Sequence, residues 1–380
     1  MAVARVHERS DREIASSEGV PDADRYATEG NDFCALTIRK VIDETGDTRS
    51  FVLDIPDDLR CRFSYRPGQF CSFRVRVDGA PLVRCYSMSS SPDTDKEFKV
   101  TVKRVPGGAV SNWMNDNFAE GDVLDVMPPA GRFCLRNDEA RGARPLVAFS
   151  GGSGITPVIS VIKTLLATTE RRASLLYANR DRDSIIFFDE LQALSRSNGR
   201  RLRVLHRLDV EQGFVDRRGV VEFVGDEGDA DFYICGPGPF MEVVEEALRG
   251  LGVGSDRIFI ERFELPDAGD AAQVPASSAC DTVAGNEVRT ETVTIVLHGR
   301  EHTLAYHPGE TILETARRGG LKAPYSCEQG NCGTCLARIK MGAARMKANN
   351  VLTPDEVAEG LVLTCQGVPT AETITVEYED

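Results

Sequence analysis

The sequence predicts a multidomain protein of mixed α/β and β class: an antiparallel β-barrel, a parallel α/β domain, then a third compact unit. Three observations carry this. Residues 32–140 run as short alternating segments between turn signals. From Pro145 onward, apolar strand-like runs alternate with helical stretches, the pattern of a parallel sheet. Residues 266–287 are rich in Ala, Asp, Ser, Gly and Pro and lack aromatics, a linker composition, and four grouped cysteines follow. A length of 380 residues suits two to three domains.

The elements follow in order. Residues 1–31 are polar and charged and read as a disordered or loosely attached tail. Strands are predicted at 36–38, 50–53, 69–75 and 98–103, separated by turns at Arg66-Pro67-Gly68, Ser91-Pro92-Asp93 and Pro106-Gly107-Gly108. The run at 146–149 reads as a buried parallel strand. A helix is expected over 156–168, a strand at 174–177, a helix at 188–196 and strands at 202–206 and 232–234. A helix at 240–251 and a strand at 257–260 end the α/β domain, placed at 141–265. The last unit, 288–380, opens with a hairpin of 292–297 and 300–305. Its helix follows Pro308-Gly309, buries Ile312, Leu313 and Ala316, and stops at Gly319-Gly320.

The formal charge of −14 argues against a nucleic-acid-coating protein. No apolar run approaches the roughly 18 residues of a membrane span, and the N-terminus lacks the apolar core of a signal peptide. The expected setting is the cytoplasm, where disulfides are rare. Eleven cysteines, an odd number, therefore point to metal sites, clusters or buried thiols.

Cys327, Cys332 and Cys335 form a C-x4-C-x2-C run, and Cys365 follows after 29 intervening residues. This is the spacing of plant-type [2Fe–2S] sites, in which two irons take four thiolates. Gly330, Gly333 and Thr334 are small enough to let backbone amides approach the cluster sulfurs. A four-cysteine zinc site uses the same ligands, but its usual paired C-x2-C knuckles are absent.

Arg84-Cys85-Tyr86-Ser87 is placed just after a barrel strand. The Arg84 fork matches phosphate oxygens, Tyr86 offers a ring face, and Ser87 offers a hydroxyl donor. Gly107-Gly108 through Ser111 and Trp113 precede a helix, whose first amides make an anion site. Gly151, Gly152, Gly154, Thr156 and Pro157 lie between the 146–149 strand and the next helix, where glycines admit a cofactor pyrophosphate. Cys235-Gly236-Pro237-Gly238 follows the 232–234 strand.

On these motifs, residues 32–265 resemble the ferredoxin–NAD(P)H reductase family, and residues 288–380 resemble the β-grasp plant-type ferredoxins. The resemblance implies a flavin domain at 32–140, a nicotinamide domain at 141–265 and a ferredoxin domain at 288–380. Arg84, Tyr86, Ser87, Gly108 and Ser111 would then bind FAD, with FMN the alternative, and Ser87 would sit near the flavin N5. Gly152, Gly154, Thr156, Cys235 and Gly236 would bind the nicotinamide cofactor, with Cys235 beside its C4, and Glu261 and Phe263 would lie against the flavin. Cys327, Cys332, Cys335 and Cys365 would ligate the cluster. The stretch Asn179-Arg180-Asp181-Arg182-Asp183 carries both signs of charge, so NADPH stays possible; NADH is expected from the resemblance.

Arg84 through Pro92, Val102-Lys103-Arg104, Ser111-Asn112-Trp113 and Tyr177-Ala178-Asn179-Arg180 resemble the reductase components of 3-ketosteroid 9α-hydroxylases, which feed a separate Rieske-type oxygenase. Reductases of phenylacetyl-CoA oxygenases share the architecture. The expectation is a monomeric NADH-dependent reductase that passes single electrons to a Rieske-type terminal oxygenase, with no nucleic-acid or membrane partner. A non-catalytic iron–sulfur redox sensor is the reading from another class. Arg338, Lys340, Arg345 and Lys347 are expected to form a solvated strand face, with partner docking the alternative.

Overall fold

The computed structural model describes residues 33–136, 142, 144–263, 290–325, 328, 330, 333–349, 352 and 354–378. The predicted tail 1–31 and linker 266–287 lie outside the described residues, as do Cys327 and Cys332.

The first sheet holds β1 (Cys34–Thr45), β2 (Thr48–Asp54), β3 (Phe70–Val77), β4 (Ala80–Ser87), β5 (Phe98–Lys103) and β6 (Val123–Val126). These strands lie antiparallel in the order β4-β3-β6-β1-β2-β5. A bridge between Met88 and Val100 joins the outer strands and closes the barrel. Alternation puts Leu36 and Ile38 inside with Phe51, Phe73 and Val100. Helix α1 (Ala109–Asn117) lays Val110 and Met114, four residues apart, on this core.

The structure corrects one placement. Arg84–Ser87 do not follow a strand; they are the end of β4, paired with β3 through Phe70↔Ser87. None of the β4 residues before Ser87 is fully buried, so the strand lacks the inside–outside alternation that reveals the others.

The second sheet is parallel, with β7 (Leu146–Gly151), β8 (Ala173–Asn179), β9 (Leu202–Leu208), β10 (Asp231–Cys235) and β11 (Ile258–Glu261) in the order β11-β10-β7-β8-β9. Helices α2 (Ile155–Thr168) and α3 (Phe188–Asn198) pack on one face, through Ile155, Ile159, Ile162 and Leu191. The short α4 (Asp209–Gln212) follows β9, and α5 (Arg217–Val224) and α6 (Gly238–Gly250) cover the other face through Val220, Phe223, Met241 and Val244. The chain leaves β7 toward β8 and β9, then returns to place β10 on the opposite side. The strand order therefore reverses between β7 and β10, and the carboxyl ends of these two strands border the crevice where such sheets bind ligands.

The third sheet contains β12 (Thr292–Leu297), β13 (Arg300–Ala305), β14 (Leu336–Met341), β16 (Leu361–Leu363) and β18 (Thr373–Glu377), in the order β13-β12-β18-β14-β16. The β12–β18 pair is parallel and the others antiparallel. Strands β15 (Ala344–Met346) and β17 (Gly367–Pro369) form a separate pair, and α8 (Pro354–Ala358) precedes β16. Helix α7 (Ile312–Arg318) starts with a capping box between Thr311 and Glu314 and buries Ile312, Leu313 and Ala316, as the pattern predicts.

The barrel meets α2 through a polar contact. The segment after β4 gives the Ser90 carbonyl to Ser160 Oγ at 2.6 Å, and the Ser91 and Thr164 hydroxyls are 2.7 Å apart. Lys163, only 4% exposed, places its ammonium against the Asp95 carboxylate and 2.8 Å from Glu190 Oε1 on α3. Replacing Lys163 by Met leaves both carboxylates without this cation, and a loss of about 3 kcal/mol is expected. Urea unfolding followed by far-UV circular dichroism measures it; wild-type stability in Lys163→Met would mean that the barrel and α2 hold together without this charge.

Candidate functional site

On the barrel side, β4 ends with Ser87 buried, and its Oγ has no hydrogen-bond partner among the described residues. Such a group costs free energy unless a ligand completes it. Tyr86 packs against Phe73 with ring centroids 5.7 Å apart, and burial pushes its phenol well above the ordinary range, so it stays neutral. Arg84 is half-buried and donates through Nη1 to its neighbour's carbonyl, Val83 O, at 2.8 Å. At the start of α1, Ser111 Oγ accepts from Val105 N at 3.2 Å, and Asn112 Nδ2 donates to Gly108 O at 2.7 Å. These bonds fix the turn whose next amides open the helix. Trp113 packs edge-on against Phe118.

On the sheet side, β7 and β10 pair so that Ser150 lies opposite Cys235 and Ile234 opposite Phe149. Ser150 Oγ is buried and has no hydrogen-bond partner among the described residues. Cys235 is fully buried, and burial raises its thiol well above the ordinary value, with Glu261 adding to the effect. A neutral thiol at pH 7 is neither a base nor an activated nucleophile. Glu261 pairs in register with Cys235 across β11. Phe263, two residues further on, is 38% exposed.

The glycines here have a structural use that the sequence reading did not assign. A Cβ on Gly154 would lie 2.1 Å from the Cys235 carbonyl oxygen, and one on Gly236 would lie 2.9 Å from Gly151 N. Only glycine lets the turn after β7 sit against the turn after β10. Gly152 differs: its φ is +52° and its Cβ position is open, with Lys103 Nζ the nearest atom at 3.8 Å. Tyr177 Oη donates to Gly152 O at 3.0 Å, and Thr156 Oγ1 donates to Ser153 O at 3.0 Å. Pro157 falls at the third helical position, still within the first turn, where amides have no helical partner.

In the third unit, Cys335 and Cys365 are buried and their segments are joined directly. Thr364 N and Thr364 Oγ1 both donate to Cys335 O, at 3.0 and 2.9 Å. Gly330 has φ +76° and a Cβ there would lie 2.8 Å from Ala348 O, so the loop demands glycine. Thr334 Oγ1 is buried and without a hydrogen-bond partner among the described residues.

The residues fit the groups the sequence implies. Two buried thiols on hydrogen-bonded segments suit a thiolate-ligated cluster. The unsatisfied Ser87 and Ser150 hydroxyls and the open turn at Gly152 suit a flavin and a dinucleotide. Sequence reasoning missed Ser150; its only signal is a polar residue closing an apolar strand just before the glycine turn.

Three family profiles match: an oxidoreductase FAD-binding domain over residues 35–134, an oxidoreductase NAD-binding domain over 149–246 and a 2Fe-2S iron-sulfur cluster binding domain over 295–370. The ferredoxin reductase component of 3-ketosteroid-9-alpha-monooxygenase from Rhodococcus rhodochrous is 38% identical over 90% of this chain and 96% of its own. The chain belongs to the ferredoxin reductase components of multicomponent monooxygenases. One of the subunits of 1,2-phenylacetyl-CoA epoxidase from Escherichia coli is 32% identical over 91% of this chain and 98% of its own. Among solved structures, phthalate dioxygenase reductase shares the fold, with a TM-score of 0.53, 24% identity and coverage of 91% of this chain and 98% of that one. This reductase component is an oxidoreductase with FAD-binding, NAD-binding and [2Fe–2S]-binding domains.

Removing the Ser87 hydroxyl deletes an unsatisfied buried group, so Ser87→Ala should leave stability within about 0.5 kcal/mol of wild type. Flavin reduction by reduced nicotinamide should slow about 10-fold in stopped-flow. An unchanged rate would place Ser87 outside the reacting region.

Proposed function

We propose that this protein is the NADH-dependent reductase component of a 3-ketosteroid 9α-hydroxylating system, and that its electron acceptor is a Rieske-type oxygenase. In this reading it is a cytoplasmic monomer with a FAD domain at 32–140, a nicotinamide domain at 141–265, a linker at 266–287 and a ferredoxin domain at 288–380. The observation that carries it is an alignment over 90% of the chain, reaching all three domains, with a relative that bears this name.

Flavin accepts a hydride's two electrons and releases them one at a time, which is what a one-electron cluster requires. The chain's own residues do the rest. Arg84, Gly108 and Ser111 would hold the flavin phosphates, Ser111 through its amide in the first turn of α1 and Gly108 by keeping the turn before it compact. Tyr86 would cover the ring and Ser87 would donate toward N5. Gly152, Gly154 and Thr156 would seat the dinucleotide, and Cys235 and Gly236 would border its nicotinamide, with Glu261 and Phe263 beside them. Cys235 acts by shape, because its thiol is neutral and hydride transfer depends on ring alignment. Cys327, Cys332, Cys335 and Cys365 ligate the cluster.

The Escherichia coli relative supports a second reading, a reductase for a phenylacetyl-CoA oxygenase. Both differ from a redox sensor in demanding sustained turnover.

The purified protein should contain one FAD and one [2Fe–2S] cluster and should oxidise NADH faster than NADPH with ferricyanide as acceptor. Mixed with a Rieske-type oxygenase and a 3-ketosteroid, it should support 9α-hydroxylation. Zinc in place of iron, a preference for NADPH, or single-turnover behaviour would each overturn the corresponding part of the assignment. Cys235→Ala should keep its flavin and its cluster yet slow flavin reduction about 10-fold; a wild-type rate would leave Cys235 as a structural thiol.

A further inference from the structure

Four of the eight Arg and Lys side chains described in the ferredoxin domain are engaged within it. Arg317 holds Glu328 through two bonds of 2.7 and 2.8 Å, Arg318 holds Glu310, Lys340 pairs with Glu377, and Arg338 donates to Glu359 O. The other four, Arg300, Lys322, Arg345 and Lys347, are exposed and have no ion-pair partner among the described residues; of these, Arg345 and Lys347 lie against the strand that follows Cys365. Arg345 lies in β15 and Lys347 directly follows it, two positions on, which puts both on one side of the extended chain.

Their place matters. β15 pairs with β17 through Arg345↔Val368 and Met346↔Gly367, and Lys347 N donates to Gln366 O at 3.0 Å. Gln366 is the residue after Cys365. Leu363 N also points at Met346 Sδ, at 3.4 Å. The carboxylate on the nearby loop, Glu328, is engaged by Arg317, and its carbonyl takes the Gln366 amide at 2.8 Å. Two positive charges without ion-pair partners among the described residues thus lie against the segment that directly follows a proposed cluster ligand, in a chain of formal charge −14.

We propose that Arg345 and Lys347 form the docking surface for the electron acceptor, and that the acceptor presents carboxylates around its own redox centre. The proposal rests on the reading of Cys365 as a cluster ligand and of the cluster as the electron exit. The physical reason is the conflict between near and far fields. At physiological ionic strength the Debye length is about 8 Å, so the chain's overall negative charge is screened while an ion pair at contact is not. A local cationic pair beside the exit favours the settling of an acidic partner there.

The probe is soluble cytochrome b5, an acidic one-electron haem protein. The full-length holoprotein is reduced with dithionite so that cluster loading does not depend on NADH, then mixed with ferric cytochrome b5 in stopped-flow. Arg345→Glu/Lys347→Glu is compared with Arg200→Glu/Arg300→Glu, two exposed positions elsewhere that change the net charge equally. The Arg345/Lys347 variant should slow haem reduction roughly 10-fold at low salt, with the difference shrinking as salt rises. The control should change it less than about 2-fold. Added negative charge beside a cluster lowers its potential and so raises the driving force; slowing therefore reports docking. Iron content and the electron paramagnetic resonance signal verify that the variant keeps its cluster. Equal rates in the two variants, or a wild-type rate that rises with salt, would overturn the proposal. A separate failure, no cluster signal on adding NADH to wild type, would overturn the underlying electron path instead and leave the dithionite comparison to be read on its own.

Discussion

Burying the Lys163 ammonium is the constraint on which the two cofactor-binding halves depend. A cation inside α2 needs carboxylates, and they come from two directions: Asp95 from the segment leaving β4, and Glu190 from α3. Neither the barrel nor the parallel sheet satisfies it alone. The segment that supplies Asp95 also supplies Ser90 and Ser91 to α2, and it begins one residue after Ser87. The end of β4, which carries the proposed flavin contacts, is thereby fixed relative to the helix that follows the glycine turn of β7. Hydride transfer tolerates little misalignment between donor and acceptor rings. A buried ion pair is a poor source of net stability but a stringent condition on geometry, because a displaced partner leaves a charge unmatched.

The crevice between β7 and β10 shows a second constraint of the same kind. The glycines at 151, 154 and 236 are forced by protein meeting protein, since a side chain at any of them would strike the opposing turn. The turns are consequently close enough for Ser150 and Cys235 to lie side by side near the ends of adjacent strands. Gly152, with open space at its Cβ position, is where the demand comes from outside the chain. One glycine-rich motif thus serves two physical purposes, and the sequence pattern alone does not separate them.

What was legible in the sequence was local. The cysteine spacing, the Arg84–Ser87 segment, the glycine turn, the capped helix α7 and the 292–305 hairpin each declare themselves within a few neighbouring residues. What was not legible depends on residues far apart. Lys163 reads as one more residue of a helix until Asp95 and Glu190 are seen around it. Ser150 reads as the end of an apolar run until Cys235 is seen opposite. Strands β15, β16 and β17 have three residues each, too few for a period of two to register. Helix α5 is short and opens on Arg217-Arg218, so only its buried Val220, Phe223 and Val224 reveal it.

The third unit carries the same logic to the proposed exit of the electron path. Thr364 binds the Cys335 carbonyl through both its amide and its hydroxyl, and that hydroxyl in turn accepts from Tyr378 Oη at 2.8 Å. Tyr378 is buried, and burial pushes its phenol above the ordinary range, so the chain Tyr378–Thr364–Cys335 stays intact across physiological pH. Cys365 is the next residue, and the Gln366 side chain ties it to Glu328 O. The segments bearing the third and fourth proposed ligands are therefore joined by the protein's own hydrogen bonds, without relying on a metal to hold them. A site preset in this way moves little when its charge changes, and an electron leaving it meets a smaller reorganisation barrier. The buried cation at Lys163 and the buried tyrosine at Tyr378 are thus counterparts: each fixes the local geometry of protein segments, the first between the end of β4 and α2, the second between the segments bearing Cys335 and Cys365.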